Sequence, residues 1–247
     1  MAMNLTGVVR RHEGDDVKQF LKAVLRSVLG PDMKPLPEGK VGICYQARCV
    51  KKTWEAPSVG IARLLRLGLA ASAFAFPTVY ITHLLRKRST NWLYMSIDVY
   101  VGLRLLVLLI LLYSGSARGV FATGVIIYCL LDMLLYVAGT ALLADIYEPP
   151  LSSVRSVVLA LANYAESMVG FAGLYRLWGG LSLNPLCPVQ ALYFSVVTAT
   201  TVGFGDIHPL PGATTTQVIV IAQIFTTFVF VSVLLAALVA RVGTRSQ

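Results

Sequence analysis

The sequence predicts an all-α membrane protein, and three observations carry that expectation. The chain of 247 residues is 56% hydrophobic and only 13% charged, with mean hydropathy +0.71, whereas soluble domains carry about a quarter charged residues. Several apolar runs approach the ~20 residues that a helix needs to cross a bilayer. Between the last two runs lies Thr201-Val202-Gly203-Phe204-Gly205-Asp206, with glycine at alternate positions. Glycine enters backbone conformations closed to other residues, so alternate glycines let successive carbonyls point the same way.

The formal net charge is +9, which invites a nucleic-acid reading. The basic residues, however, lie at the edges of apolar segments, where the positive-inside rule and anionic lipid account for them better. Four cysteines (Cys44, Cys49, Cys129, Cys187) and three scattered histidines make neither a disulfide framework nor a zinc site. No nucleophile–base pair points to an enzyme, and no organic cofactor is expected.

Three regions follow in order. Residues 1–60 are basic and punctuated by Pro31, Pro35, Pro37 and Pro57. Val17, Phe20, Leu21, Val24, Leu25, Val28 and Leu29 recur at helical spacing with Lys18, Lys22 and Arg26 on other faces. This predicts a basic amphipathic helix, either lying on an anionic inner membrane surface or packed within its own region. Residues 61–151 hold the front membrane helices. The run Leu67 to Leu85 has Pro77 near its middle and basic residues on both flanks, so a kinked span, a re-entrant segment and an interfacial one all remain open. Trp92 to Tyr113 and Val120 to Leu143 read as spans joined by a short loop.

Asp98, Arg104 and Asp132 fall inside these spans, where an unpaired charge is expensive. Counting ~1.5 Å per residue from the loop, Arg104 and Asp132 differ by only about 5 Å in depth in a symmetric hairpin. A long arginine bridges part of that, so an intramembrane ion pair of Arg104 with Asp132 or Asp98 is expected, as a structural device before a sensor. Residues 152–247 contain a span from Ser152 to Trp178 carrying Asn163 and Glu166, a short helix from Val189 to Thr200, the glycine string, and a last span ending near Arg241.

The run Ala191-Leu-Tyr-Phe-Ser-Val-Val-Thr-Ala-Thr-Thr-Val-Gly-Phe-Gly-Asp206 resembles the pore loop of potassium channels, and the order span, short helix, filter, span resembles their pore domain. The close match covers Ala191 to Pro209, and the architecture covers Ser152 to Arg241. The resemblance implies that Thr201, Val202, Gly203, Phe204 and Gly205 form the selectivity filter. Carbonyls of Thr201 to Phe204 and the Thr201 hydroxyl would then replace the water around K+. It places Asp206 at the outer mouth, and Tyr193, Phe194, Val197 and Thr198 behind the filter as its support. Phe204 stands where tyrosine is commoner in the family, and Val197 stands where some relatives carry a glutamate partner for Asp206.

One pore loop cannot close a ring, so the resemblance implies a homotetramer of the tetrameric pore type, in the plasma membrane, with the filter facing outward. Ser152, Arg241 and Arg86-Lys87-Arg88 then fall on the inner side. Voltage sensing wants arginine at every third position over several turns, and only Arg63 and Arg66 show that spacing, so strong voltage gating is not expected. From Gln217 to Val242 there is neither glycine nor proline, which argues against a hinged inner helix. The expected gate is an apolar constriction, with Val229, Val233 and Leu234 as candidates, or the filter itself. The rival functions are a less selective cation channel and a non-conducting, modulatory subunit.

Overall fold

The computed structural model describes residues 41–57, 60–87, 90–114, 119–147 and 153–245. The amphipathic periodicity from Val17 to Leu29 lies outside them. Among the described residues there are eight α-helices: α1 (Ile43–Glu55), α2 (Ile61–Ser72), α3 (Pro77–Leu84), α4 (Thr90–Ser114), α5 (Gly119–Leu142), α6 (Ser153–Trp178), α7 (Pro188–Ala199) and α8 (Thr214–Arg245). A single 3-10 turn, Ala73–Ala75, joins α2 to α3. Four helices, α4, α5, α6 and α8, are long and apolar enough to cross a membrane, so the all-α membrane architecture holds.

Local chemistry sets the element ends. Proline opens α3 and α7, where its missing N–H would lack a helical partner anyway. The Gln190 side chain accepts from the Cys187 N–H at 3.0 Å and fixes the start of α7. Helix α6 stops at Gly179-Gly180, both at positive φ (61° and 71°). A Cβ on Gly180 would lie 2.5 Å from Thr216 Oγ1, so glycine there serves both the backbone turn and the close approach of α8.

Helix α6 is the centre of the bundle. Phe171, Leu174 and Tyr175 share one buried cluster with Leu108 and Leu112 of α4, Ile126 and Met133 of α5, Phe194 of α7 and Phe230 of α8. Gly170 and Gly173 present a small-residue strip to α5, where added Cβ atoms would meet Leu130 at 2.8 Å and Ile126 at 2.9 Å. The carboxyl-terminal ends of α4 and α6 are tied by the Arg176 guanidinium, which donates to the Leu112 carbonyl.

The segment with Pro77 forms a bent pair, α2 with its 3-10 turn and α3, broken by 61°. Phe76 precedes the proline in an extended conformation (φ −114°, ψ 149°), as a residue before proline prefers. Arg66 of α2 bonds Asp145 just past the end of α5 at 2.5 Å. The Ala75 carbonyl accepts from Tyr128 Oη, half-way along α5, at 3.1 Å. By Tyr94 and Asp98 the chain is back at the starting end, because both contact Arg155 at the start of α6. The segment therefore enters and leaves at one end of the bundle, which is re-entrant geometry. Helix α1 braces it, since Gln46 Nε2 donates to the Ala70 carbonyl (2.8 Å) and to Tyr147 Oη (3.1 Å).

Candidate functional site

The glycine string leaves the carboxyl end of α7 in a fixed register. The Thr201 N–H donates to the Thr198 carbonyl and the Val202 N–H to the Val197 carbonyl, each at 3.1 Å. Positive φ then recurs at every second residue: Thr201 (58°), Gly203 (59°) and Gly205 (80°). Alternation of backbone handedness turns successive peptide carbonyls toward the same side. Glycine makes this easy at two positions, whereas Thr201 is β-branched and strained there. The strain sits at the first residue of the glycine string. Residues 200–206 are all exposed on the isolated chain.

The supporting side chains divide into two groups. Tyr193 turns outward, stacks nearly parallel on Phe204 (2° between planes, centroids 6.5 Å apart) and donates its hydroxyl to Asp206 Oδ2 at 2.8 Å. Its phenol is pushed above the ordinary tyrosine range, first by that hydrogen bond. The absence of a carboxyl at Val197 is thus offset by a phenol four residues earlier on the same helix. Asp206 Oδ1 also accepts from the Ile207 N–H at 3.0 Å, and the turn behind it is pinned where the Ser182 N–H donates to the His208 carbonyl (2.8 Å). Phe194, by contrast, is buried edge-on against Tyr175, 4.8 Å between centroids.

A buried polar clasp joins the three pore elements. Tyr175 Oη donates to Gln223 Oε1 at 2.6 Å, and Gln223 Nε2 donates to the Ser195 carbonyl and Oγ at 2.8 and 2.9 Å. Ser195 Oγ donates onward to the Met168 carbonyl at 2.7 Å. Near the inner end of α7, Tyr164 Oη donates to the Ala199 carbonyl at 2.9 Å. A C-terminal carbonyl otherwise left without a helical partner is satisfied there. The sequence alone assigned no role to Gln223, Tyr164, Tyr175 or Ser195, whose partners lie on other helices.

The charged residues of the front helices converge on Arg104. Its Nε and Nη2 reach Glu166 Oε1 and Oε2 at 2.7 and 2.8 Å, its Nη1 reaches Asp132 Oδ2 at 2.7 Å, and Nη2 also donates to Asn163 Oδ1 at 2.6 Å. The arginine's length closes the depth offset read from the sequence. Asp98 is a correction: it pairs not with Arg104 but with Arg155, at 2.5 Å. The physical reason is position, since Asp98 lies near the end of the bundle where α6 begins, six residues from Arg104 and on a more exposed face. Glu166 was legible as a buried acid but not as the arginine's bidentate partner.

Helix α8 runs unbroken from Thr214 to Arg245. Val229, Val233 and Leu234 are half-buried, and Val233 packs against the chain's own core. The open face belongs to Ile221, Phe225, Phe228 and Leu235, with Phe228 71% and Leu235 60% exposed. Their spacing of four, three and seven residues makes one stripe.

Residues 168–243 match the family model described as "Ion channel". No curated protein and no solved structure matches the chain. The matched stretch runs from mid-α6 through the filter to the end of α8, so the clasp and the glycine string lie within it. This supports an ion channel: an integral membrane protein whose carboxy-terminal part carries an ion-channel domain.

Proposed function

We propose that the protein is a potassium-selective channel that conducts K+ passively through a homotetrameric pore. The observation that carries this reading is the alternating positive φ at Thr201, Gly203 and Gly205, in the string Thr-Val-Gly-Phe-Gly-Asp held to the end of α7. Four such segments around one axis give stacked carbonyl rings that can replace a hydration shell. The exposed glycine string supports assembly about that axis, because one such segment cannot close a ring. Arg86 and Lys87 follow α3, and Arg241 and Arg245 belong to the last turns of α8, the helix after the glycine string. With these basic ends on the cytoplasmic side, as the positive-inside rule prefers, the glycine string faces outward from the plasma membrane.

Rubidium uptake into liposomes holding the purified chain tests conduction, with Gly203→Ala as the control. Positive φ at residue 203 is costly for any residue with a Cβ, so Gly203→Ala is expected to abolish uptake while leaving the tetramer intact. Undiminished uptake by a well-assembled variant contradicts the assignment. No uptake by the wild-type tetramer favours the modulatory-subunit reading.

A further inference from the structure

The channel reading gives no task to a cavity in the front half of the molecule. A cavity of about 360 Å³ lies between α1, the bent pair α2–α3, α4 and α5, walled by residues including Gln46, Phe76, Asp132, Tyr136, Thr140 and Tyr147. Its size falls in the range of small-molecule sites, and a few polar groups set in an apolar wall are what such sites use to orient a ligand. Asp132 is the one charged residue on this wall among the described residues, and it is only 4% exposed.

The charges around it do not balance. Arg104 is forked onto both oxygens of Glu166, so that pair is neutral as a unit. Asp132 receives a single Arg104 bond and the Tyr100 hydroxyl, and both fall on Oδ2. Neither bond uses Oδ1, and Asp132 lines the cavity. Two carboxylates against one guanidinium leave one negative charge, in surroundings that penalise an unpaired charge heavily. The nearest other ionic pair, Asp98 with Arg155, is itself balanced. The surplus therefore sits on the carboxylate that lines the cavity.

We propose that this cavity binds an organic ammonium: a molecule with an apolar body whose protonated amine donates to Asp132 Oδ1. The apolar wall, Phe76 among it, takes the body, and Gln46, Thr140 and the tyrosine hydroxyls lie within the same space. The ammonium can belong to a free amine or to the head group of an aminophospholipid, since the chemistry at the carboxylate is the same.

The test is calorimetric titration of the full chain in phosphatidylcholine nanodiscs with hexylammonium, with hexanol as the neutral isostere and empty discs as baseline. Its readout is binding, so it does not depend on potassium selectivity. Saturable hexylammonium binding is expected, tighter than hexanol by roughly tenfold or more, the scale of a charge-assisted bond to a buried carboxylate. Ala73→Phe fills the cavity from the bent segment without touching Arg104, Asp132 or Glu166, and should remove binding while the tetramer persists. Val79→Phe serves the same purpose should the first variant fail to assemble. Adding phosphatidylethanolamine to the discs separates the sources: competition assigns the amine to a lipid head group, and its absence assigns it to a free amine. Absence of saturable binding, equal binding of hexanol, or binding unchanged in an assembled cavity-filling variant overturns the proposal.

Discussion

Arg104 of α4 and Glu166 of α6 form a two-pronged ion pair at 2.7 and 2.8 Å, with Glu166 only 1% exposed. The pair joins the front helices to the pore domain at mid-depth. Two residues before Glu166, Tyr164 holds the last carbonyl of the pore helix. One turn of α6 thus touches both the front charge cluster and the support of the filter.

Arg104→Gln strands two buried carboxylates, and losing one partner of a buried pair typically costs ~3–5 kcal/mol. Glu166→Gln is expected to lower the thermal midpoint of the assembled protein markedly, and by more than Asp132→Asn, because Glu166 takes two of the guanidinium bonds and Asp132 one. Arg104→Gln with Glu166→Gln should recover part of the loss. Additive defects, measured by thermal unfolding with a double-mutant cycle, would argue that the pair carries no coupling.

The clasp through Gln223 predicts a different defect. Gln223→Leu leaves the Tyr175 hydroxyl buried without an acceptor and deprives Ser195 of a donor, at about 1–3 kcal/mol for each stranded buried group. Tyr175→Phe in the same chain should relieve part of it. Unfolding midpoints and the lifetime of open-channel current report the loss, since the clasp holds the pore helix that carries the filter.

Tyr193 and Asp206 predict a mouth phenotype. Tyr193→Phe keeps the ring stacked on Phe204 but removes the donor to Asp206, so current should decay faster during sustained opening with ion selectivity retained. Val197→Glu supplies a carboxyl close to Asp206 and should change that decay only if its carboxyl shares a proton with Asp206. Decay rates indistinguishable from wild type in Tyr193→Phe would show that the bond does not hold the mouth.

The re-entrant segment has a pH signature. The hydrogen bond from Arg66 holds the Asp145 carboxyl below its ordinary value. A depressed folded-state value contributes stability above the unfolded carboxylate range, ~3.9, and loses it as pH falls through the lower folded value. Amide protection factors across Ile61–Ser72, corrected for the intrinsic pH dependence of exchange, should stay constant from neutral pH to about pH 5 and fall only below about pH 4. Asp145→Asn should lower protection at neutral pH and converge with the wild type as the carboxyl protonates. Because Asp145 is largely exposed, with a side chain 61% accessible, the wild-type effect should also weaken with salt.

How much was legible in the sequence varies with the range of the interaction. The short helix, the alternating backbone of the glycine string and the spans on either side could be read because their determinants are local: a proline at the helix start, alternate glycines and two apolar runs. The partners of Arg104 could not, because Glu166 lies 62 residues away and meets it only through the rotation of α6 against α4. Asp98 illustrates the same limit, since proximity in sequence suggested Arg104 while the helix ends brought it to Arg155. The face of α8 was equally hidden. An evenly apolar helix carries no stripe in its pattern, so Val229, Val233 and Leu234 could be named as gate candidates without a face; in the fold Val233 packs on the core side and Phe228 is exposed.

That separation gives a gating prediction. Cysteines at Phe228 and Leu235 should show state-dependent modification by internal thiol reagents, while one at Val233 should react slowly in every state. Access at Val233 matching that at Phe228 would place the core side of α8 in the pore.

The central claim is potassium selectivity, and the reversal potential of the reconstituted wild-type protein under opposed potassium and sodium gradients tests it most directly. The account predicts a potential that follows the potassium gradient, with close to ~59 mV per tenfold change, and that ignores sodium. A reversal potential near zero in opposed gradients, with current still carried, would contradict it and identify a pore that does not distinguish the two ions.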